Sequence, residues 1–312
     1  MKILVSGSTG MVGSALVARL CENGQEVIRL VRPTSNLDQT RFTSRPGPKA
    51  IVWDADKSTL DSSAEGADAV VHLAGASIAG SRWTAERKQI LRDSRIAATR
   101  NLVGALGKLI RPPRAFIAAS GIGYYGDRRD EELTESSTGG TDFLAQAARD
   151  WEAESSRATE FGARVAVLRF GIILAKQGGA LPQMVLPFRL GIGGRLGPGR
   201  QWMSWIALED IVEIIRFAIA TEPVAGAVNA VAPNPVRNAE FTKELASVLH
   251  RPALFPAPAF ALRLALGREF AQTLLLSSQR VLPKKLEQLG HRFLLPELKP
   301  ALRAILRNGR AH

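Results

Sequence analysis

A run of small residues near the N-terminus has the composition and spacing needed to bind a diphosphate. It follows the apolar run Lys2–Ser6, opens a helical pattern, and comprises Gly7, Ser8, Thr9, Gly10, Met11, Val12 and Gly13. In a strand–turn–helix unit the first glycine makes the tight turn, the second lets the backbone approach a pyrophosphate, and the third lets helix and strand pack closely. The N–H groups and positive dipole end of the helix then attract the phosphates. This context favours a dinucleotide site over a turn without a ligand.

The end of the next apolar run, Glu26–Val31, indicates which dinucleotide the site takes. An acidic residue at that point would hydrogen-bond the ribose hydroxyls of NAD, whereas an arginine accommodates the 2′-phosphate of NADP. The sequence has Arg32 there, and the first acidic residue that follows is Asp38. Because a guanidinium matches the geometry of a phosphate group, the sequence predicts NADP(H) as the cofactor, with Arg32 on the extra phosphate.

A later apolar run, Ala69–Ala74, ends in small residues. Leu73, Ala74 and Gly75 would leave room for the adenosine part of a dinucleotide, and we predict that they contact it. His72 is either a strand residue satisfied in the core or a catalyst, and a partly buried histidine is more often the former. The four histidines, at positions 72, 250, 291 and 312, lack the spacing of metal ligands, so no metal site is predicted.

The elements that must position these residues alternate along the chain. The apolar runs are nearly continuous in Val, Ile, Leu and Ala, as in strands buried on both faces of a parallel sheet. The runs not yet mentioned are Ala50–Trp53, Arg114–Ser120, Val165–Phe170 and Ala227–Val231. Helical patterns lie between the runs, at about Met11–Asn23, Ser81–Leu109 and Asp142–Phe161. This alternation predicts an α/β fold, a Rossmann-type doubly wound parallel sheet.

Two later stretches depart from the alternation. Residues 177–201 are rich in glycine and are more typical of a mobile lid or substrate loop than of a sheet element. From about Asn238 onward the pattern is helical and interrupted by prolines. We therefore predict an NADP-binding Rossmann domain over residues 1–237, including the substrate loop, and a small, mainly helical C-terminal domain over residues 238–312.

The composition restricts the classes of partner. The chain has 312 residues, of which 46% are hydrophobic and 22% charged, as expected for a globular protein. The formal net charge of +12 favours an anionic small-molecule substrate. Lys and Arg form no basic run and only 6% of residues are aromatic, so nucleic acid is not a predicted partner. No apolar run reaches the roughly 18 residues of a membrane span. We expect no membrane partner and a cytoplasmic location, and a homodimer is left open.

The glycine run, the small residues after the fourth strand and Ser120 after the fifth resemble the extended short-chain dehydrogenase/reductase superfamily, which includes nucleotide-sugar epimerases. The chain is most similar to an atypical, epimerase-like branch with a short helical C-terminal domain, and the likeness runs nearly end to end. It rests on Ser81-Arg82-Trp83-Thr84, Ser94-Arg95, Gly123-Tyr124-Tyr125-Gly126, Trp151-Glu152, Gly178-Gly179-Ala180-Leu181, residues 186–191, Ser204-Trp205-Ile206, Asp210, Val231-Ala232-Pro233 and Glu240-Phe241. The resemblance implies that the backbone after the sixth strand, at Phe170 and Gly171, contacts the nicotinamide amide.

The resemblance also implies a proton-transfer machinery that this chain lacks. In the superfamily a Tyr transfers the proton, a Lys four residues later lowers its pKa, a Ser holds the substrate oxygen and an Asn supports a water relay. Ser120 matches the serine, but Phe143 and Ala147 stand where the Tyr and Lys are expected, and Arg95 stands where the Asn is expected. General acid–base catalysis is typically worth about 100- to 10,000-fold in rate.

Few residues could replace that machinery. The two tyrosines, Tyr124 and Tyr125, follow Ser120 at the carboxyl edge of the sheet, where open α/β sheets bind their ligands. Either phenol could reach a substrate oxygen held by Ser120, or could pack its ring beneath the loop. Arg95 could hold a cofactor phosphate or a substrate carboxylate as a bidentate donor. Alternatively, it could form a surface ion pair with Asp93.

These observations predict an NADP(H)-dependent oxidoreductase of the atypical short-chain dehydrogenase/reductase type, with an unidentified substrate. Hydride transfer needs only the nicotinamide and a correctly placed carbon, because the cofactor carries the difficult chemistry. The alternative is a non-catalytic NADP(H)-binding sensor or scaffold that keeps the Rossmann site, since a fold alone does not fix a function. The resemblance makes a C4 epimerase less favourable, because that reaction depends on the missing tyrosine.

Overall fold

The computed structural model describes residues 1–33, 48–79 and 82–307. At its centre is a seven-stranded sheet in which every neighbouring pair runs parallel. The strands are β1 (Lys2–Ser6), β2 (Glu26–Val31), β3 (Lys49–Val52), β4 (Ala69–His72), β5 (Ala115–Gly121), β7 (Arg164–Phe170) and β11 (Gly226–Ala230). Their order is β11-β7-β5-β4-β1-β2-β3. The chain thus winds outward from β1 in both directions, which confirms the predicted Rossmann-type doubly wound fold.

Helices cover both faces of the sheet. They are α1 (Met11–Glu22), α2 (Ala85–Asp93), α3 (Ile96–Leu106), α4 (Phe143–Ser156), α5 (Leu181–Arg189), α6 (Leu208–Ala220), α7 (Asn238–Leu249), α8 (Ala259–Leu266), α9 (Arg268–Phe270), α10 (Lys284–Gln288) and α11 (Leu298–Arg307). On one face, Ile3 and Val5 are buried with residues of α1 and α6. On the other, Leu4 is buried with Leu102 of α3. Because successive strand residues point to opposite covered faces, the strands are apolar throughout.

Short strands lie outside the main sheet. They are β6 (Glu132–Leu133), β8 (Ile172–Leu174), β9 (Trp202–Met203), β10 (Trp205–Ala207), β12 (Val236–Arg237) and β13 (Arg280–Val281). They pair as β8 with β10, β9 with β12, and β6 with β13. Because β13 runs parallel to β6 in the body of the molecule, the C-terminal part is not helical throughout. The predicted boundary between residues 237 and 238 stays a prediction.

The single long helix predicted over Ser81–Leu109 is wrong. The structure has two helices, α2 and α3, separated at Ser94 and Arg95. Ser94 Oγ accepts a hydrogen bond from the N–H of Ala76 at 3.1 Å. Arg95 has a φ of −110°, outside the helical range. The break turns Arg95 out of the helical register and towards the carboxyl edge of the sheet. Ser81 itself lies outside the described residues.

The glycine-rich stretch 177–201 contains helix α5 and is therefore not a loop over its whole length. Pro182 lies in the first turn of α5, where a proline costs nothing because its N–H would have no partner within the helix. Val185 and Phe188 of α5 share a buried cluster with α7, α11 and the fully buried Trp205. The helix was missed because its prolines and flanking glycines were interpreted as loop signals. No helix among the described residues is both long and apolar enough to cross a membrane.

Candidate cofactor and substrate site

The turn between β1 and α1 contains three glycines, and two of these positions, 7 and 13, require glycine. Gly7 has a φ of +68°, and a Cβ there would lie 2.7 Å from the carbonyl carbon of Leu73. A Cβ on Gly13 would lie 2.8 Å from the carbonyl carbon of Gly7 and from Cα of Ser8, and nearer still to the Gly7 oxygen. Such distances are below any ordinary van der Waals contact, so larger residues cannot be accommodated without moving backbone. The turn has the close helix–strand approach that a diphosphate site needs.

The start of α1 is open to an anion. The N-cap residue is Gly10, with no side-chain hydrogen bond that caps the helix. Its first N–H groups are therefore available to an incoming acceptor. Ser8 is 1% exposed, and its hydroxyl has no hydrogen-bond partner among the described residues. An anion seated on the turn would supply acceptors for these donors.

The remaining predicted cofactor residues lie at the same edge of the sheet. Because Ser6 is in register with both Leu30 and His72, the strands β1, β2 and β4 end side by side. Arg32 follows β2 directly and is exposed, while Leu73, Ala74 and Gly75 follow β4. The turn, Arg32 and the small residues thus lie at one edge of the sheet, and their contact with a dinucleotide stays a prediction.

The glycine-rich stretch also reaches the turn, which sequence reasoning missed. A Cβ on Gly178 or Gly179 would lie 3.4 Å and 3.2 Å from Met11 Sδ, respectively. Both glycines have positive φ values, of +74° and +67°. The Gly178-Gly179 pair therefore packs against Met11, the first residue of α1. Nothing in the spacing of the two glycine motifs indicates that they meet in the fold.

His72 is a buried structural residue and not a catalyst. It has no exposed surface, and burial lowers its pKa to about 4. Its Nδ1 lies 2.6 Å from Ser6 Oγ, and its Nε2 lies 2.9 Å from Thr99 Oγ1. Thr99 Oγ1 also accepts a hydrogen bond from Trp151 Nε1 at 2.9 Å. The neutral ring thus ties β1 and β4 to α3 and α4.

Tyr125 belongs to a buried network that centres on an ion pair. Arg169 binds Glu152 through two hydrogen bonds, from Nε at 2.9 Å and from Nη2 at 2.8 Å. It also donates from Nη1 to the Tyr125 hydroxyl at 3.0 Å. That hydroxyl donates to Asn229 Oδ1 at 2.6 Å. Burial raises the pKa of Tyr125 to about 12, and the side chain has no exposed surface. The prediction of Tyr125 as a proton donor to substrate is therefore wrong.

Ser120 and Tyr124 are held by the same ion pair. The Ser120 hydroxyl donates to Glu152 Oε1 at 2.7 Å. The Arg169 guanidinium carbon lies 3.4 Å from the centre of the Tyr124 ring, so cation and ring are stacked. The structure brings Ser120 and the two tyrosines together, as predicted. It does so around a structural salt bridge, and none of the three side chains lines the neighbouring cavity.

That cavity, of about 250 Å³, lies beside the carboxyl ends of β5 and β7. Phe170 and Gly171, the predicted nicotinamide contacts, form part of its wall. Phe143 and Ala147, which occupy the positions expected for the missing Tyr and Lys, also line it. The two positions that the resemblance predicts for the superfamily's Tyr and Lys therefore lie in the cavity wall, with apolar side chains.

The C-terminal part supplies the opposite wall through Thr273, Ser277 and Gln279. The Ser277 hydroxyl is buried and has no hydrogen-bond partner among the described residues. Gln279 donates from Nε2 to the carbonyls of Ile122 and Gly126, at 3.1 and 3.0 Å. Sequence reasoning missed these residues. Their only signal is a short polar interruption in an otherwise apolar helical pattern.

Arg95 is the charged residue of the cavity wall. The predicted ion pair with Asp93 is absent, because Asp93 accepts a hydrogen bond from Gln89 instead. Arg95 donates to the carbonyls of Leu91, at 3.1 Å, and Ala76, at 2.8 Å. A Cβ on Gly75 would lie 3.3 Å from its guanidinium carbon, so that glycine leaves room for the arginine.

Asp210 has a structural role. It has no exposed surface and accepts hydrogen bonds from the N–H groups of Leu294, at 2.6 Å, and Leu295, at 3.1 Å. Burial raises its pKa. Asp210 therefore anchors the segment that leads into α11. Among the described residues, no cluster of three or more His, Cys, Asp or Glu side chains could hold a metal ion.

The sheet order, the glycine turn and the open helix terminus define a Rossmann-type nucleotide-binding protein. The chain belongs to the NAD dependent epimerase/dehydratase family, which matches residues 3–230. Residues 257–305 match a second family, a domain of unknown function called DUF1731.

Relatives cover nearly the whole chain. Epimerase family protein ML0860 of Mycobacterium leprae is 41% identical over 292 residues, which are 93% of this chain and 91% of the relative. Epimerase family protein YfhF of Bacillus subtilis is 37% identical over 307 residues, or 98% of each chain. A crystal structure of human epimerase family protein SDR39U1 (isoform 2), with NADPH, matches with a TM-score of 0.88 and 35% identity over 99% of this chain and 100% of that chain. These proteins support the resemblance to the atypical, epimerase-like branch.

Proposed function

We propose that the protein is an NADP(H)-dependent oxidoreductase of the atypical short-chain dehydrogenase/reductase type. The observation that carries the proposal is the cavity of about 250 Å³ beside Phe170 and Gly171, on the carboxyl side of the sheet. Ligands of open α/β sheets bind at this edge. The cavity extends beyond the predicted nicotinamide contacts to Thr273, Ser277 and Gln279 of the C-terminal part, which supports a substrate place beside the cofactor.

The residues present fit NADP(H). The turn from Gly7 to Gly13 and the uncapped start of α1 would hold the diphosphate, and Arg32 would bind the 2′-phosphate. Leu73, Ala74 and Gly75 would border the adenosine. The relative described with NADPH in its crystal structure, human SDR39U1, supports this assignment. NADPH would supply the hydride.

The chain's own contribution to proton transfer is small. Among the described residues that line the cavity there is no Tyr, Lys, His, Asp, Glu or Cys. Burial and the nearby Arg87 lower the pKa of Arg95 to about 10, so its guanidinium stays protonated at neutral pH. Arg95 can stabilise negative charge on a substrate, and Ser277 can donate a hydrogen bond. We infer that the proton comes from water.

The same lack of an acid or base favours the second candidate, a non-catalytic NADP(H)-binding sensor or scaffold. In that case the cavity would accept no compound that NADPH reduces. The cytoplasmic location and the domain boundary between residues 237 and 238 stay predictions, and the homodimer stays open. Neither candidate function depends on them.

The test is titration of the full chain with NADPH and NADH by calorimetry, followed by a screen of carbonyl compounds for NADPH oxidation. Tight binding of NADPH, weaker binding of NADH and turnover of at least one compound are expected. An Arg32→Ala variant should lose most of the preference for NADPH and keep its affinity for NADH. Binding without turnover of any compound would support the sensor instead. If neither dinucleotide bound, both candidates would be wrong.

A further inference from the structure

The cavity carries a single charge, and that charge is poorly compensated by the protein. Of the lining residues in the described part of the chain, Arg95 is the one that is charged. No carboxylate of the described residues forms an ion pair with Arg95. Two of its N–H groups donate to backbone carbonyls, those of Leu91 and Ala76. An arginine has five N–H donors, so three are not used in these two bonds. The guanidinium carbon also lies 5.3 Å from the centre of the Trp151 ring.

A second cation adds to the positive potential. Arg87 lies near enough to Arg95 to lower its pKa, and it too forms no ion pair with a described carboxylate. Arg87 donates to the carbonyl of Ser77, and its Nε is buried with no hydrogen-bond partner among the described residues. A buried charge is costly unless it is paired. The buried Arg95 guanidinium would be stabilised by an anion that enters the cavity, and the charge of Arg87 nearby would add to the attraction.

Most of the rest of the cavity wall is apolar or aromatic, apart from the polar side chains of Ser204, Asn238, Thr273, Ser277 and Gln279. Phe143, Leu144, Trp151 and Met184 are representative. The volume of about 250 Å³ is below the roughly 300–1,000 Å³ of pockets for drug-sized ligands. A nucleoside-diphosphate sugar would bring two phosphates into this space, where the described lining residues supply one cation. Charge and volume disfavour such a ligand.

The phosphate turn lies elsewhere. None of the residues from Gly7 to Gly13 lines the cavity, whereas Phe170 and Gly171 do. Arg95 therefore shares the cavity with the predicted nicotinamide contacts, which the residues of the phosphate turn do not, although it also packs against Gly75. This placement favours the second of its two predicted roles, as a ligand of a substrate carboxylate.

We propose that Arg95 binds the carboxylate of a small monoanionic substrate whose remaining body is apolar. The planar guanidinium matches a carboxylate through two parallel hydrogen bonds. The aromatic and aliphatic wall then encloses the body of the substrate. The inference deepens the proposed function and, as a statement about substrate, rests on it.

The probes for the test are 3-phenylpropionate and hexanoate, each compared with its carboxamide, which has the same shape and no charge. Binding is measured by calorimetry on the full chain, with and without NADPH. NADPH affinity is measured separately on each protein. The variants are Arg95→Gln, Arg95→Lys and the matched control Arg92→Gln. Arg92 lies three residues earlier and pairs with Asp150 at 2.7 Å, outside the cavity.

The unaltered protein should bind at least one carboxylate more tightly than its amide, by about tenfold to a hundredfold, as expected for hydrogen bonds to a charged group. Arg95→Gln should abolish this preference, Arg95→Lys should keep part of it, and Arg92→Gln should keep all of it. NADPH affinity should be the same in all four proteins. Circular dichroism identifies any variant that fails to fold, and the lysine variant then carries the comparison.

Three results would overturn the inference. One is equal affinity for carboxylate and amide in the unaltered protein. Another is weakened NADPH binding in Arg95→Gln with the carboxylate preference intact, which would assign Arg95 to the cofactor. The third is full loss of the preference in Arg92→Gln, because a general loss of positive charge would then explain it. Carboxylate binding without any NADPH binding would leave Arg95 as an anion site and refute the proposed function alone.

Discussion

The glycine turn offers a sharp test, because two helical glycines of this chain should respond in opposite ways to the same substitution. Gly13 is in the first turn of α1, and a Cβ there would lie 2.8 Å from backbone atoms of both Gly7 and Ser8. Gly104 is in α3, is exposed, and has only Ser58 within 4 Å of an added Cβ, the nearest atom being Oγ at 3.8 Å. Gly13→Ala must therefore move backbone, whereas Gly104→Ala need not.

The magnitudes follow from these distances. Overpacking against backbone typically costs about 1–3 kcal/mol, so Gly13→Ala should lower the free energy of unfolding by that amount. Moving the start of α1 also misaligns its N–H groups, and losing one hydrogen bond to a charged group weakens binding by about tenfold or more. Gly104→Ala should raise the free energy of unfolding by about 0.5–1 kcal/mol, because alanine is the better helix former, with no effect on NADPH.

Urea unfolding measures the stability of both variants, and calorimetric titration measures their affinity for NADPH. Binding of NADPH to a folded Gly13→Ala variant with unchanged affinity would refute the assignment of this turn to the diphosphate. A loss of affinity in Gly104→Ala as well would show that the assay reports general destabilisation.

Three further predictions concern buried polar groups. Tyr125→Phe removes a hydroxyl that is hydrogen-bonded to Asn229 and Arg169, so the free energy of unfolding in urea should fall by about 1–3 kcal/mol. Tyr124→Phe keeps the ring stacked on Arg169 and should leave stability and NADPH affinity unchanged. Because burial lowers the pKa of His72 to about 4, the unfolded chain binds the proton first as pH falls from 6.5. Stability should therefore fall by about 3 kcal/mol between pH 6.5 and 4, and His72→Gln should flatten this slope; an equal slope in the variant would contradict the assignment. Asp210→Asn leaves one acceptor for two N–H groups and should lower the free energy of unfolding in urea by about 1–3 kcal/mol. The corresponding amide substitution at the exposed Glu209, Glu209→Gln, should change it by no more than about 0.5 kcal/mol.

The sheet could be predicted from sequence because strands buried on both faces leave a strong signal. Lys2–Ser6 and Glu26–Val31 were predicted with their observed bounds and the other five strands of the seven-stranded sheet within two residues, whereas the short strands outside that sheet were not predicted. The glycine turn was equally accessible, since its spacing is imposed by backbone contacts between Gly7, Gly13 and Leu73. The position of Arg32 near the turn could also be predicted, because it follows β2, which lies beside β1 in the sheet.

The cavity could not be predicted, because it depends on contacts between distant segments. The break before Arg95 is stabilised by a hydrogen bond to Ala76, which no local helix propensity reveals. Tyr125 has a burial that is decided by Arg169 and Asn229, 44 and 104 residues further along the chain. The sequence pattern placed the phenols at the correct sheet edge, but tertiary contacts turned them into the core.

The wall formed by Thr273, Ser277 and Gln279 comes from a different part of the chain than the residues predicted to bind the cofactor. The residues predicted to hold the dinucleotide all come before residue 172, whereas this wall comes from the last fifth of the sequence. Substitutions in this C-terminal wall can thus change which compounds enter the cavity without changing the predicted cofactor site. Selectivity and redox chemistry could be altered one at a time, by evolution or by design.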